Sequence, residues 1–374
     1  MQIIGAVLER SGAPAPFAQS RPLTIGELTL DPPAAGELLV RIEAAGVCHS
    51  DLSVVDGSRV RPTPMLLGHE AAGIVMQVGT AVTDAAPGDR VVMTFLPRCG
   101  RCAGCLTDGR LPCEVGTAAN NAGTLVGGGI RLQRPAPDSI AGVTQDVHHH
   151  LGVSAFATHA VVSRSSVVPV DADVPPEVAA LLGCAVLTGG GAVINAGRPA
   201  PGESVVVVGL GGVGMAALLV AVAFGHEAIG VDAVPAKLDL ARELGASDAM
   251  SPADAVGRGI RSRVVIEAAG SARAFETALA LTAPGGTTVT VGLPAPDARA
   301  SISPLLLTAE ARTVVGSYLG SAVPSRDVPR YVALWREGRL PLERLVSSRI
   351  PLDDLDAAMD RLAAGGELRQ LITF

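Results

Sequence analysis

Four consecutive valines, Val205–Val208, run straight into Gly209-Leu210-Gly211-Gly212-Val213-Gly214 and then into an apolar helical stretch. No other segment of the 374 residues restricts the fold as strongly. An all-valine run reads as a strand buried on both faces, which is how strands of parallel sheets read. The hexapeptide fits G-x-G-x-x-G, a weak signal by itself in a chain with 44 glycines. Between a buried strand and a helix it matches the turn whose glycines let backbone N–H groups approach a pyrophosphate at the positive end of a helix. Gly209, Gly211, Gly212, Val213 and Gly214 are therefore the expected dinucleotide contacts. Eighteen residues past Gly214, the next strand ends in Asp232. A carboxylate there can accept both adenosine ribose hydroxyls and would repel a 2′-phosphate, which favours NAD over NADP.

Around this motif, strand patterns at 204–208, 228–231, 263–267 and 287–291 alternate with helical patterns at 177–187, 212–224, 236–244 and 272–281. That alternation predicts a parallel, doubly wound sheet. The uncharged run over 205–225 is long enough to span a bilayer. Its glycines break it early, so strand, turn and buried helix explain it better. The first 170 residues differ: short β patterns at 38–44, 72–78, 90–95 and 160–168, broken by Gly and Pro, predict a mostly antiparallel, barrel-type region. The expected fold class is thus α/β plus mostly β. Its expected domains are 1–185, with 328–374 returning to it, and 186–327. A net charge of −7 without a basic stripe argues against nucleic acid as a partner class. The N-terminus reads as a strand, not a signal peptide, and six cysteines in a chain this long suit metal ligation in the cytoplasm better than disulfides.

Four of those cysteines, Cys99, Cys102, Cys105 and Cys113, form C-x2-C-x2-C-x7-C in a Gly-rich loop. Such turns let thiolates converge at about 2.3 Å on a tetrahedral zinc. Iron–sulfur loops of ferredoxin type use a shorter last gap and another fold. The remaining two are solitary. Cys48 opens Cys48-His49-Ser50-Asp51 after a strand, Cys184 lies in an apolar segment, and Gly68-His69-Glu70 precedes another strand. Two thiolates and an imidazole would leave a fourth zinc position open for substrate. Read from residues alone, a solitary thiol in apolar surroundings such as Cys184 is more often core than ligand, and His69 is equally a hydrogen-bonded core histidine.

GVCHSD, GHEAAG, the four-cysteine loop, GCAVLTG and GLGGVG occur in the order found in zinc-dependent alcohol dehydrogenases of the medium-chain dehydrogenase/reductase family. The chain resembles that family nearly end to end. The likeness implies a GroES-like catalytic domain, a Rossmann cofactor domain, NAD, and two zinc ions per subunit. It implies Cys48, His69 and Cys184 as catalytic zinc ligands and Cys99, Cys102, Cys105 and Cys113 as a structural zinc site. Glu70 matches the carboxylate beside the catalytic zinc, and Asp51 the group that orients His69. Ser50 matches the acceptor of the substrate hydroxyl proton, and Thr188 packs beside the nicotinamide. His49 stands where an arginine often binds pyrophosphate, Arg369 matches a second phosphate contact, and Lys237, the sole lysine, a ribose contact.

Ser53 occupies the place where many relatives extend the proton relay with a histidine. Phe95, Val153 and Leu293 imply an apolar pocket for primary or aromatic alcohols and their aldehydes. His49 is shared with the glutathione-dependent formaldehyde dehydrogenase branch, but Ser58-Arg59 stands where that branch is acidic. Oxidation of an S-(hydroxymethyl)thiol or a polyol is the alternative, and a non-enzymatic NAD- and zinc-binding protein a distant one. His148-His149-His150 reads as structural, not as a third metal site. The family's habit implies a homodimer or homotetramer formed through the cofactor domain.

Overall fold

The computed structural model describes residues 1–136 and 143–374. Packing divides the chain into two compact units: Met1–Thr107, Pro112–Cys184 and Val346–Phe374 form the first, Asp108–Leu111 and Ala185–Leu345 the second.

In the first unit Gln2–Leu8, Leu23–Leu30, Leu132–Pro135, Thr144–His149 and Met65–Leu66 close into a small barrel. Ile3, Val7, Leu28, Leu30, Leu66 and Val147 fill its interior. A further sheet runs in the order Val167–Val170, Arg90–Met93, Glu70–Val78, Glu37–Val47, Arg369–Thr373, Val346–Ile350, and His159–Ser163 also pairs with Glu37–Val47. The last strand of the chain therefore lies against one of the earliest. This return starts at Val346, not at 328 as the sequence reading has it. The helix Pro324–Arg336 stays with the second unit because Val328, Tyr331, Val332 and Leu334 give it a buried apolar stripe. Asp108–Leu111, inside the four-cysteine loop, also groups with the second unit, where Asp108 pairs with Arg326 at 2.7 Å.

The second unit holds one six-stranded sheet in the order Asp248–Met250, Ala228–Val231, Val205–Val208, Ser262–Glu267, Thr282–Thr290, Thr313–Gly316, every pairing parallel. The chain starts in the middle, builds outward to one side, then to the other; that is the doubly wound order. Val205–Val208 is a central strand with all four valines buried, as its composition requires. The 205–225 run resolves into this strand, a glycine turn and the buried helix Gly212–Ala223. The helical run Pro176–Gly197 is long and apolar enough to cross a membrane, but 89% of its apolar window is buried inside the protein.

Candidate metal centres and active site

The four-cysteine loop brings its sulfurs together. Cys99 Sγ lies 3.9 Å from Cys105 Sγ, Cys102 Sγ lies 3.9 Å from Cys113 Sγ, and all four atoms fall within 4.8 Å of one another. Four sulfurs at about 2.3 Å from a tetrahedral zinc stand about 3.8 Å apart, so the cage fits that ion. Backbone N–H groups already point at the sulfurs: those of Cys99 and Gly116 at Cys113, that of Cys105 at Cys102. The Cys105 N–H helps bring the Cys102 thiol down to about 6, whereas burial pushes Cys105 up to about 12.

The second cluster is assembled by strand register. Gly46 pairs with Glu70, and Val47 pairs with Gln370. Cys48, His69 and Arg369 are the next residues out, so three segments distant in sequence meet at one end of one sheet. Cys184 arrives on the Pro176–Gly197 run, where Gly183 packs so tightly on Met93 that a Cβ would sit 2.1 Å from the Met93 carbonyl oxygen. Cys184 Sγ lies 3.5 Å from His69 Nε2, and the ligand atoms of Cys48, His69 and Cys184 all lie within 4.8 Å. Nitrogen and sulfur on a tetrahedral zinc stand about 3.6 Å apart. Two thiols and one imidazole, all buried, are the donor set of a zinc that keeps one position open.

Asp51 braces this trio. Its Oδ2 accepts the Cys48 N–H at 3.2 Å, and its Oδ1 accepts the Gly68 N–H at 3.1 Å and faces His69 Nδ1 at 3.0 Å. Binding the imidazole through Nδ1 leaves Nε2 aimed at the two sulfurs. Burial works against charge on His69, but the Asp51 carboxylate together with the Cys48 sulfur more than offsets it and raises the imidazole well above its ordinary range. The Cys184 thiol, with Arg369 and His69, holds Cys48 well below the usual thiol range. A zinc bound here would require Nε2 of His69 to be free of a proton. Glu70 is wholly buried beside the trio. Its carboxylate occupies the space left by Gly46, where a Cβ would come within 2.3 Å of Glu70 Oε1.

Arg369, expected as a phosphate contact, is 2% exposed with Nε 3.4 Å from Glu70 Oε1. Glu70 and the two thiols keep its guanidinium charged against the cost of burial. Ser50 is half-buried and His49 exposed. Ser53 Oγ donates to the Ser50 carbonyl at 2.9 Å, inside their own helix. Phe95 lies edge-on to the His69 ring, centroids 5.6 Å apart. Val153 is buried and Leu293 exposed. His150, a residue the sequence reading left as structural, also reaches Asp51; only its place in a histidine run drew notice to it.

In the second unit the Gly-rich loop has the shape its sequence implies. Gly209 takes φ +91°, and a Cβ on Gly214 would sit 1.7 Å from the Gly209 carbonyl oxygen. A Cβ on Gly211, at the start of the helix, would meet nothing within 4 Å. That open space above the helix N-terminus is room for a pyrophosphate. Gly212 is buried and Val213 half-buried. Asp232 accepts the Leu210 N–H at 2.6 Å and the Val234 N–H at 2.9 Å, one on each oxygen. Each oxygen keeps a lone pair for a further donor. Lys237 is half-buried and Thr188 buried.

Fold and donor sets together define a zinc-binding dehydrogenase with a separate nucleotide unit, and comparison with known proteins gives the same class. Residues 34–172 match the alcohol dehydrogenase GroES-like domain, and residues 212–337 the zinc-binding dehydrogenase family. Alcohol dehydrogenase B of Mycobacterium tuberculosis is 33% identical over 95% of this chain and 96% of its own length. An alcohol dehydrogenase zinc-binding domain protein of Burkholderia ambifaria has a TM-score of 0.90 at 31% identity, over 100% of this chain and 99% of its own. Benzyl alcohol dehydrogenase of Acinetobacter calcoaceticus gives 0.89 at 30%, also over 100% and 99%. The chain belongs to the zinc-dependent alcohol dehydrogenases of the medium-chain dehydrogenase/reductase family.

Proposed function

We propose that the protein oxidises primary or aromatic alcohols reversibly to aldehydes, reducing NAD to NADH with release of one proton, at the site built by Cys48, His69 and Cys184. The convergence of these three buried ligand atoms within 4.8 Å carries the reading. Phe95, packed edge-on to His69, gives the site an apolar wall suited to an aromatic substrate, in keeping with the likeness to a benzyl alcohol dehydrogenase. Bound zinc would supply a Lewis acid that eases loss of the substrate hydroxyl proton, and NAD the hydride acceptor. Cys48, His69 and Cys184 hold the metal; Cys99, Cys102, Cys105 and Cys113 hold a second, structural zinc. Asp51 fixes the His69 ring. Glu70 and Arg369 form an internal ion pair that keeps charge balanced beside two thiolates. Ser50 takes the hydroxyl proton. Thr188 packs against the nicotinamide, His49, Lys237 and Arg369 contact the cofactor, and Gly209, Gly211, Gly212, Val213 and Gly214 receive its pyrophosphate. A panel of alcohols and aldehydes followed by NADH absorbance tests this: turnover of benzyl and primary alcohols supports it, and turnover confined to polyols or thiol adducts refutes the substrate class.

Ser50→Ala is expected to lower kcat by about 10²- to 10⁴-fold, the usual worth of a positioned proton acceptor, with zinc content and NAD affinity unchanged. Turnover equal to that of the unaltered protein would remove Ser50 from the reaction. Asp232→Gly is expected to cost NAD about 10- to 100-fold in affinity, since a charge-assisted hydrogen bond contributes about 1.5–3 kcal/mol. It should weaken NADP much less. Titrating both cofactors measures the ratio, and an unchanged ratio counts against Asp232 as the ribose acceptor. Six unbridged cysteines favour the cytoplasm as the site of action. A homodimer or homotetramer is supported by the Thr313–Gly316 edge strand, which exposes Val314, and by exposed Leu305 in the preceding helix.

A further inference from the structure

The chain Thr144–His149 ends the small barrel, and His150 follows in a turn with three left-handed residues: Leu151 at φ +51°, Gly152 at +68° and Ser154 at +52°. Two of these carry side chains, a strain that persists only where the surroundings over-determine it. The turn is tied by the His150 N–H, which donates to Ser154 Oγ at 2.9 Å. Its result is to swing the His150 ring inward, 1% exposed, onto Asp51. His150 Nδ1 lies 3.1 Å from Asp51 Oδ1, the same oxygen that faces His69 Nδ1 at 3.0 Å. The two imidazoles stand edge to face, centroids 5.5 Å apart and planes at 85°. The approach of His150 is oblique: Nδ1 comes within 3.1 Å of the carboxylate oxygen but makes no aligned hydrogen bond with it or with any other group among the described residues. A carboxylate only accepts, so any hydrogen bond from His150 to Asp51 requires the hydrogen on Nδ1.

We propose that His150 is a positioning residue of the catalytic centre: it clamps the Asp51 carboxylate against His69 and thereby sets how firmly Cys48, His69 and Cys184 grip their metal. This rests on the reading of that trio as a zinc site. Asp51 is wholly buried, so no water replaces a lost donor, and a carboxylate freed on one side turns away from its remaining partners. Asp51, His69 and His150 do not themselves form a separate metal site. Oxygen and nitrogen on a tetrahedral zinc stand about 3.3 Å apart, further than the 3.0 and 3.1 Å found here. Asp51 also spends acceptor sites on the Cys48 and Gly68 N–H groups.

The test is zinc release from the full-length protein into excess chelator, read with a metallochromic dye. The unaltered protein should release metal in two phases, one from each site, the quartet serving as reference inside the same molecule. His150→Phe keeps a ring but no donor, and should speed the trio's phase about 10- to 100-fold, the usual effect of losing a partner behind a metal ligand. The quartet's phase should not change. His150→Asn places an N–H at the position of Nδ1 and should stay within a few-fold of the unaltered rate. With cobalt in place of zinc, the visible ligand-field bands should shift in His150→Phe and not in His150→Asn. Should His150→Phe fail to fold, His150→Gln takes its part, since its donor sits one atom too far out. Release from the Phe or Gln variant at the unaltered rate overturns the proposal, as does equal acceleration of both phases or of the Asn variant. A single phase, from the quartet alone, in the unaltered protein overturns both the proposal and the trio's reading as a zinc site.

Discussion

His69→Gln is expected to leave a folded protein with almost no alcohol dehydrogenase activity. A Lewis-acidic metal contributes several kcal/mol to such a reaction. At about 1.4 kcal/mol per tenfold, kcat/KM should fall by roughly three orders of magnitude or more. His69 is the one nitrogen ligand of the trio, and it is held at both ends, by Asp51 at Nδ1 and by the thiols around Nε2. A glutamine amide can reach the carboxylate or the metal, not both. The variant should therefore hold one zinc fewer per chain while NAD affinity persists, because the Gly-rich loop belongs to the other unit. Metal analysis, NAD titration and initial rates on benzyl alcohol measure the three quantities. Full turnover with one zinc missing would take the chemistry away from the trio.

Cys113→Ser should do the opposite, sparing the chemistry and opening the loop. Cys113 is the wholly buried member of the quartet, and its sulfur receives the Cys99 and Gly116 N–H groups. Structural zinc contributes folding energy directly, and without it the loop has few apolar contacts: Leu106 and Leu111 are exposed. Local opening then needs little free energy. Trypsin should cut at Arg101 or Arg110, both exposed, at least about tenfold faster, since cleavage follows the population of the open form. Mass analysis of a digestion time course reads this directly. A cleavage rate equal to that of the unaltered protein would show that the quartet does not staple its loop.

The Gly-rich turn, its central valine strand and the four-cysteine loop were legible because each pattern is local, whereas Cys48 and Cys184 are solitary and only the family resemblance joined them to His69. The two outermost strands of the parallel sheet, Asp248–Met250 and Thr313–Gly316, were not read. They are three and four residues long, and the latter is largely exposed, so neither carries the apolar run that marks a buried strand. The position of Arg369 follows from the pairing of Val47 with Gln370, a contact between the two ends of the chain that no local pattern encodes. Glu70 and Gly46 likewise explain each other only once their strands are in register. His150 was hidden by its neighbours. Strand alternation buries Val147 and His149, and only the left-handed turn after them redirects the next ring toward Asp51.

Activity plotted against zinc content, as metal is withdrawn from the unaltered protein by a chelator, tests the central claim most directly. The oxidation of benzyl alcohol by NAD should vanish as the first equivalent leaves Cys48, His69 and Cys184. The melting temperature should fall only as the second leaves Cys99, Cys102, Cys105 and Cys113. Activity that survives loss of the first equivalent, or that disappears only with unfolding, would contradict the division of labour between the scattered trio and the clustered quartet.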